Sequence, residues 1–410
     1  MLSYTGISVA NLGKAMVTPF HLIMGLFIAY GFMVSNKERN TVFGSLVILM
    51  AYVLLVNILQ YPSIRYTSIL YTIIYMIEFM ILYNLLRRCK ISVITLAFEI
   101  IIYTYLANLF LGLVFDTIGL KNDLILRFIC VHYEEGESHG GRPMGFSTEP
   151  SYSSYILAVA FLCHSHLRNH TMDKKALKLF IKLILCIVFS KSAYGFVFVS
   201  VLILDWVIHF YKKGDLLLKN IYPFIISIAL LGMSIVMQTS ENESIVRISK
   251  FSAALFDTSV TGRKKMEALN RADGSAFARV GPTYMLFNID PKYKINFWLG
   301  EGAGAAGGFL AKFLVGILVD EGRDSLDVGI IPAWAFDYGI IGTILLLIFL
   351  INCFHNLPFP FWLLFFLILP NANINTQLIW YNIICYLFVS IAKARQTIPK
   401  AETNLPNVET

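Results

Sequence analysis

Residues 91–115 read ISVITLAFEIIIYTYLANLFLGLVF, and Glu99 is the one charge among them. Crossing a bilayer takes about 20 mostly apolar residues, so this stretch predicts a transmembrane helix. The same pattern recurs along the chain. Spans are expected at about 17–34, 41–60, 65–86, 91–115, 151–167, 176–190, 193–210, 221–238, 329–354, 357–370 and 376–392. The sixth is short, and it can pair with the seventh as one re-entrant unit. A twelfth span is open if residues 1–16 insert, although Asn11 and Gly13 interrupt them beside the charge of Lys14. The expected fold class is therefore all-α: a polytopic membrane helical bundle of about 11–12 transmembrane helices. Composition agrees. Hydrophobic residues make up 57% of the chain and charged residues 14%, against about a quarter charged in soluble domains.

Lysine and arginine orient the bundle. Short connections on one side hold Lys37, Arg39, Arg87, Arg88, Lys90, Arg168, Lys174, Lys175, Lys178, Lys182, Lys212, Lys213 and Lys219. The C-terminal end adds Lys393, Arg395 and Lys400, against the acids Glu38, Asp173, Asp215, Glu402 and Glu409. This face is expected to be cytoplasmic. The opposite face balances basic against acidic residues. The net charge of +7 is thus a positive-inside signature, which excludes reading it as nucleic-acid binding. No basic n-region followed by a small-residue cleavage site opens the chain, so the first span is expected to enter the membrane uncleaved. Of six cysteines, only Cys130 maps to the outer face, which argues against a structural disulfide.

Two outer loops break the rhythm of short connections, at about 116–150 and 239–327. Loops of that length are usually functional or disordered. Helical spacing in Ser244–Phe256 and Ala276–Phe287 points to order, the second with Phe277, Val280, Tyr284 and Phe287 on one face. Short helices lying over a single membrane domain (1–400) are expected, with a disordered cytoplasmic tail at 401–410.

Several segments carry candidate chemistry. In Gly141–Tyr152 (GRPMGFSTEPSY), Arg142 and Glu149 are held apart by turn-forming residues where a loop meets a span. Arg142 suits a phosphate because its planar fork binds two oxygens; an interfacial Arg–Glu pair pinning the loop is the alternative. Lys191, in Phe189–Gly195, lies at an outer turn, either as a second cation for an anion or as a snorkelling lysine. Asp273 or Ser275 can cap a helix that carries Arg279 in its second turn. Arg263, Lys264 and Lys265 read as a solvated basic face. Gly300–Gly308 (GEGAGAAGG) contains a G-x-G-x-x-G match, but no strand leads into it and no acidic ribose partner follows, which excludes a dinucleotide site. Its amides are expected either in close helix packing or in an anion nest. Cys163, His164, His166 and His170 look like metal ligands but lack a second ligand pair, so no metal is expected. Glu78 and Glu99 fall inside spans, where ionisable groups are functional suspects; Asp205 sits near a cytoplasmic boundary.

Taken in order, four pieces resemble the Wzy-type O-antigen polymerases, in the superfamily that includes the O-antigen ligases. Arg142–Ser151 resembles the family's R-x-x-G-[FL]-x-x-E-P-S. Ser190–Gly195 resembles its S-[RK]-[ST] turn. Asp273-Gly274-Ser275 with Arg279, followed by Gly300-Glu301-Gly302, resembles its D-G-S-x-x-x-R … G-x-G loop. Asp337-Tyr338-Gly339-Ile340-Ile341-Gly342 resembles its E-x-G-[LI]-[LIF]-G, with Asp337 in place of the usual Glu. Ser325–Val328 lacks the histidine that the ligases carry in that neighbourhood.

The resemblance implies a GT-C-like helical bundle with a large helical extracytoplasmic loop, in the bacterial cytoplasmic (inner) membrane. It also implies a glycosyltransferase that polymerises surface polysaccharide and lipopolysaccharide repeat units. A glycan chain would leave undecaprenyl diphosphate and join a lipid-linked repeat unit at the outer face, without metal or cofactor. Arg142, Lys191 and Arg279 would bind the diphosphate. The resemblance leaves the general base unassigned; Glu149 and Asp327 are the candidates to take the acceptor proton. Partners would be the undecaprenyl-diphosphate-linked oligosaccharide, membrane lipid and a chain-length regulator, and no nucleic acid. A lipid-linked oligosaccharide flippase and an O-antigen ligase are the competing readings.

Overall fold

The structure is a computed structural model that describes residues 10–12, 15–17, 41–60, 65–86, 88–117, 150–170, 178–180, 182–183, 193–213, 243–287, 295–314, 317, 328–370, 372–374 and 376–397. The expected spans at 221–238 and over most of 17–34 and 176–190 lie outside them. A short antiparallel hairpin, β1 (Ala10–Leu12) and β2 (Ala15–Val17), replaces the helix that insertion of residues 1–16 requires. All other described elements are helical.

The described helices of the bundle are α1 (Thr41–Leu59), α2 (Tyr66–Leu86), α3 (Ile91–Thr117), α4 (Pro150–Leu167) and α5 (Ala193–Lys213). After a helical loop come α10 (Ile330–Phe354), α11 (Phe359–Ile368) and α12 (Gln377–Thr397). Five of these, α1, α2, α3, α10 and α12, contain segments long and apolar enough to cross a membrane. The expected span at 357–370 is realised as α11, a helix of 10 residues. At 1.5 Å per residue it covers about half of the ~30 Å hydrocarbon core.

Burial follows the sequence in two ways. Helix α1 buries a stripe made by Val42, Leu46, Leu49, Val53 and Val56 and exposes Ile48, Leu55 and Ile58 on the other side. That is the pattern of a helix facing lipid. Helix α4 instead buries every residue from Ser153 to His166. It is the central helix, with α3, α5, α11 and α12 packed around it. Its apolar run Tyr155–Cys163 carries no charge, and the polar Ser153, Ser154, His164 and His166 at its two ends are buried with it. Lipid is as apolar as the side chains, so packing, rather than water exclusion, holds such helices together. Aromatic pairs supply much of that packing. Phe79 of α2 meets Phe349 of α10 edge-on at 5.3 Å and Trp380 of α12 at 5.8 Å. Phe361 of α11 meets Tyr386 of α12 edge-on at 4.7 Å. Each such pair adds about 0.5–1.5 kcal/mol beyond its area.

The large loop is built from α6 (Glu243–Phe256), α7 (Gly262–Ala272), α8 (Gly274–Phe287) and α9 (Ala305–Leu314). Both helices expected there are present. Helix α7 adds a third, where the basic cluster stood. Arg263 is exposed and pairs with Glu267 at 3.3 Å, but Lys265 is buried and donates from Nζ to Asp257 O. The buried line of α8 runs through Phe277, Gly281 and Met285, while Val280 and Tyr284 are only half-buried. Gly281 explains the offset: a Cβ there would stand 2.6 Å from the Phe277 ring. Met266, Leu269, Phe277, Leu310 and Ala311 form a second core with Val328, Ala333 and Phe336 at the start of α10. The loop is therefore a helical cap seated on one end of α10.

Contacts at both ends agree with the alternation read from the charges. Arg65, opening α2, donates its amide to Ala303 O at the capped end. Arg395, near the end of α12, donates from Nη1 to Cys89 O at the opposite end.

Candidate functional site

Helix α10 is broken. Gly339 has φ 64° and ψ −166° within an otherwise helical run, a conformation that costs a residue with a Cβ dearly. The break releases carbonyls and amides that would otherwise pair within the helix, and buried backbone groups need partners. Residues 297–302 provide them. Glu301 N donates to Phe336 O (3.1 Å) and Gly302 N to Asp337 O (2.9 Å), while Ile340 N donates to Phe297 O (2.8 Å). The two backbones touch because glycines face each other. A Cβ on Gly300 (φ 86°) would lie 2.3 Å from Asp337 O, and one on Gly339 would lie 2.5 Å from Trp298 O.

Helix α1 closes the other side of this wedge. Tyr52 Oη donates to Tyr338 O at 3.0 Å, and Gln60 Nε2 to Gly300 O at 2.9 Å. Asn57 Oδ1 accepts the Ala303 amide at 2.9 Å. Residues 297–304 thus run down between α1 and α10, held by a belt of polar side chains.

The carboxylate of Asp337 completes the lock. Its Oδ2 accepts the Gly304 amide at 2.7 Å and its Oδ1 the Ala306 amide at 2.8 Å. These amides open α9, where a negative charge also meets the positive end of the helix dipole. The glycine-rich segment is a nest of amides as well as a close packing, and the group it holds is the Asp337 carboxyl. The dinucleotide reading fails for the same reason: the Gly304 and Ala306 amides are taken.

Asp273 performs the capping role expected of it. Its Oδ1 accepts the Ala276 amide at 3.0 Å at the start of α8. Its two oxygens also accept Arg247 Nη2 at 2.7 Å and Nε at 3.0 Å, a forked pair that ties α6 to α8. Arg279 lies within α8, and its side chain is outside the described residues, as are Arg142, Glu149, Lys191 and Asp327.

Elsewhere, Glu99 finds its partner in His164, whose Nε2 lies 3.1 Å from Oε1. Glu78 is buried in α2, and its Oε2 has no hydrogen-bond partner among the described residues. Sequence reasoning passed over Asn57 and Arg65. Arg65 is exposed at the capped end, with its side-chain carbons against Gly304. Asn57 carried a usable signal as an amide within an apolar span; Arg65 carried none beyond its place at a span end.

Comparison with family models, curated proteins and solved structures finds no match to this chain.

The lock yields a direct prediction. Gly339→Ala should sharply reduce the yield of folded protein and lower its melting temperature, because the added methyl collides with Trp298 O. Gly44→Ala, at a site on α1 with nothing within 4 Å of the new Cβ, should leave both unchanged or slightly raise stability. Fluorescence-detected size-exclusion chromatography of both variants during heating checks this.

Proposed function

We propose that this chain is a surface-polysaccharide repeat-unit polymerase of the bacterial cytoplasmic membrane. It transfers a glycan chain from undecaprenyl diphosphate to a lipid-linked repeat unit at the outer face. A hydroxyl of the incoming unit attacks the anomeric carbon, a new C–O bond forms, and the bond to the diphosphate breaks. Arg142, Arg279 and Lys191 stabilise the departing diphosphate, and Glu149 or Asp327 accepts the hydroxyl proton. Charge developing on a diphosphate is met by cations held in place beforehand.

One observation carries the reading. Three motif pieces distant in sequence, Asp273-Gly274-Ser275, Gly300–Gly304 and Asp337–Gly342, belong to one interlocked unit at one end of the bundle. Helix α8, which bears Arg279, starts on the first of them. A membrane enzyme working on a lipid-linked substrate needs a rigid platform of this kind at the membrane edge.

The break in α10 favours a second reading, a lipid-linked oligosaccharide flippase, since transporters build binding sites at interrupted helices. Against it, the chain's own carboxylate and backbone fill this break.

Deleting the gene in its native host separates the readings. Polysaccharide shortened to a single repeat, restored to a ladder by the intact gene, is the expected result. Repeat units held at the cytoplasmic face indicate a flippase, and full-length polymer left unattached indicates a ligase. An unchanged polysaccharide profile overturns the proposal.

A further inference from the structure

At the end of the bundle opposite Asp337, the fold supplies what the histidine run lacked. His166 and His170 approach Asp205, a residue 39 and 35 positions further along the chain. His166 Nε2 lies 2.9 Å from Asp205 Oδ1, and His170 Nε2 lies 2.8 Å from Oδ2. All three side chains are buried, and their donor atoms lie within 4.8 Å of one another.

A second feature of the backbone works toward the same point. Helix α4 ends at Leu167, and Asn169 and His170 follow with φ 50° and 52°. Two successive left-handed residues with side chains are unusual, and such strain persists where the surroundings over-determine it. The turn is closed by the His170 amide on Ser165 O at 2.8 Å. It folds the His170 ring back beside that of His166, with centroids 4.2 Å apart. His209 stacks on the other side of His170 at 3.8 Å, and Phe361 packs edge-on against His166 at 4.7 Å. The two imidazoles are thus fixed in place by aromatic contacts on both flanks.

We propose that His166, His170 and Asp205 form a binding site for a divalent transition metal of the zinc class, clamping the end of α4 to α5. Imidazole nitrogen and carboxylate oxygen are the donors zinc prefers. One Asp205 oxygen and two imidazole nitrogens give three donor atoms, the number that an open zinc site takes from the protein. Zinc bonds of about 2.0–2.1 Å set tetrahedral ligands about 3.3 Å apart. The present N–O separations of 2.9 and 2.8 Å lie about half an ångström inside that distance. Lys393 of α12 is the nearby cation, lying 6.0 Å over the Phe361 ring. Its charge opposes that of the metal and weakens binding. The site lies away from the capped end and does not rest on the polymerase reading.

The test uses the full-length protein purified in detergent. Metal content is measured by plasma mass spectrometry. The protein is then stripped with a chelator and titrated with Zn2+ and with Co2+, whose visible absorption reports coordination. The expected result is about one zinc per chain, retained or regained, with tetrahedral Co2+ bands. Asp205→Asn keeps the side-chain shape and can still hydrogen-bond an imidazole. It should weaken Co2+ binding at least about 10-fold, as should His166→Gln. His355→Ala, at an exposed histidine, should bind as the wild type does. A wild-type protein that neither holds nor regains metal overturns the proposal. So does Co2+ binding by both substituted proteins equal to the wild type. Should the variants fail to fold, the wild-type stoichiometry and spectrum decide, because an imidazole–carboxylate bridge without metal gives neither.

Discussion

Asp337→Ala is expected to cost this protein a large part of its stability. The substitution leaves the buried Ala306 amide and the half-buried Gly304 amide, which donate to Asp337 at 2.8 and 2.7 Å, without their acceptor. A buried donor left unpaired costs about 1–3 kcal/mol; with a smaller cost at half-buried Gly304, the two together should cost roughly 2–4 kcal/mol. That is a large part of the ~5–15 kcal/mol that holds a typical native fold together. The damage should spread, because α9, the 297–304 wedge and the break in α10 hang on one carboxylate. Asp337→Asn should recover part of the loss, since its carbonyl oxygen can accept one amide while its NH2 group confronts the other. Asp337→Glu keeps the acceptors but adds a methylene to a buried site, and should fall between wild type and Ala. Melting temperatures in detergent, with the yield of monodisperse protein, give the ranking: wild type first, then Glu and Asn, then Ala. Equal stability of Ala and wild type would remove Asp337 from its role as the lock.

Local signals in the sequence were good guides, and distant pairings were not. The apolar spans, the helices in the large loop and the Asp273 cap all depend on residues within a turn or two, where periodicity and capping rules apply. Asp337 and the glycine-rich segment were each visible as motifs, but their partnership spans 31 to 33 residues, and no local rule reaches that far. Asp205 was legible only as a charge near a span end; its role depends on how α5 packs against α4. Helix α11 misled for a different reason. Its residues are as apolar as those of a span, and hydropathy cannot tell a crossing helix from a short buried one. The buried line of α8 shifted from the expected face because Gly281 lets Phe277 lie flat along the helix, a packing choice that an apolar tally does not register.

Arg142→Lys and Arg279→Ala are expected to abolish long-chain polysaccharide while leaving protein levels near wild type. The polymerase proposal rests on charge that develops at the diphosphate as the anomeric bond breaks. A planar guanidinium meets two oxygens at once, and an ammonium does not. Arg142→Lys therefore keeps the charge and should still fail, which separates geometry from electrostatics. Removing one preorganised donor from such a site costs roughly 100- to 1000-fold in rate. A polymer made by many successive transfers magnifies that loss into a ladder of one or two repeats. Arg279 lies within α8, whose start is held by bonds between Asp273, Arg247 and the Ala276 amide that do not involve it. Arg263→Ala, on the exposed face of α7, is the control and should give a normal ladder. Polysaccharide profiles from a deletion strain carrying each variant, beside immunoblots of membrane fractions, provide the measurement. Normal ladders from both arginine variants would sink the diphosphate assignment. Short ladders accompanied by loss of protein would instead assign these arginines to the fold.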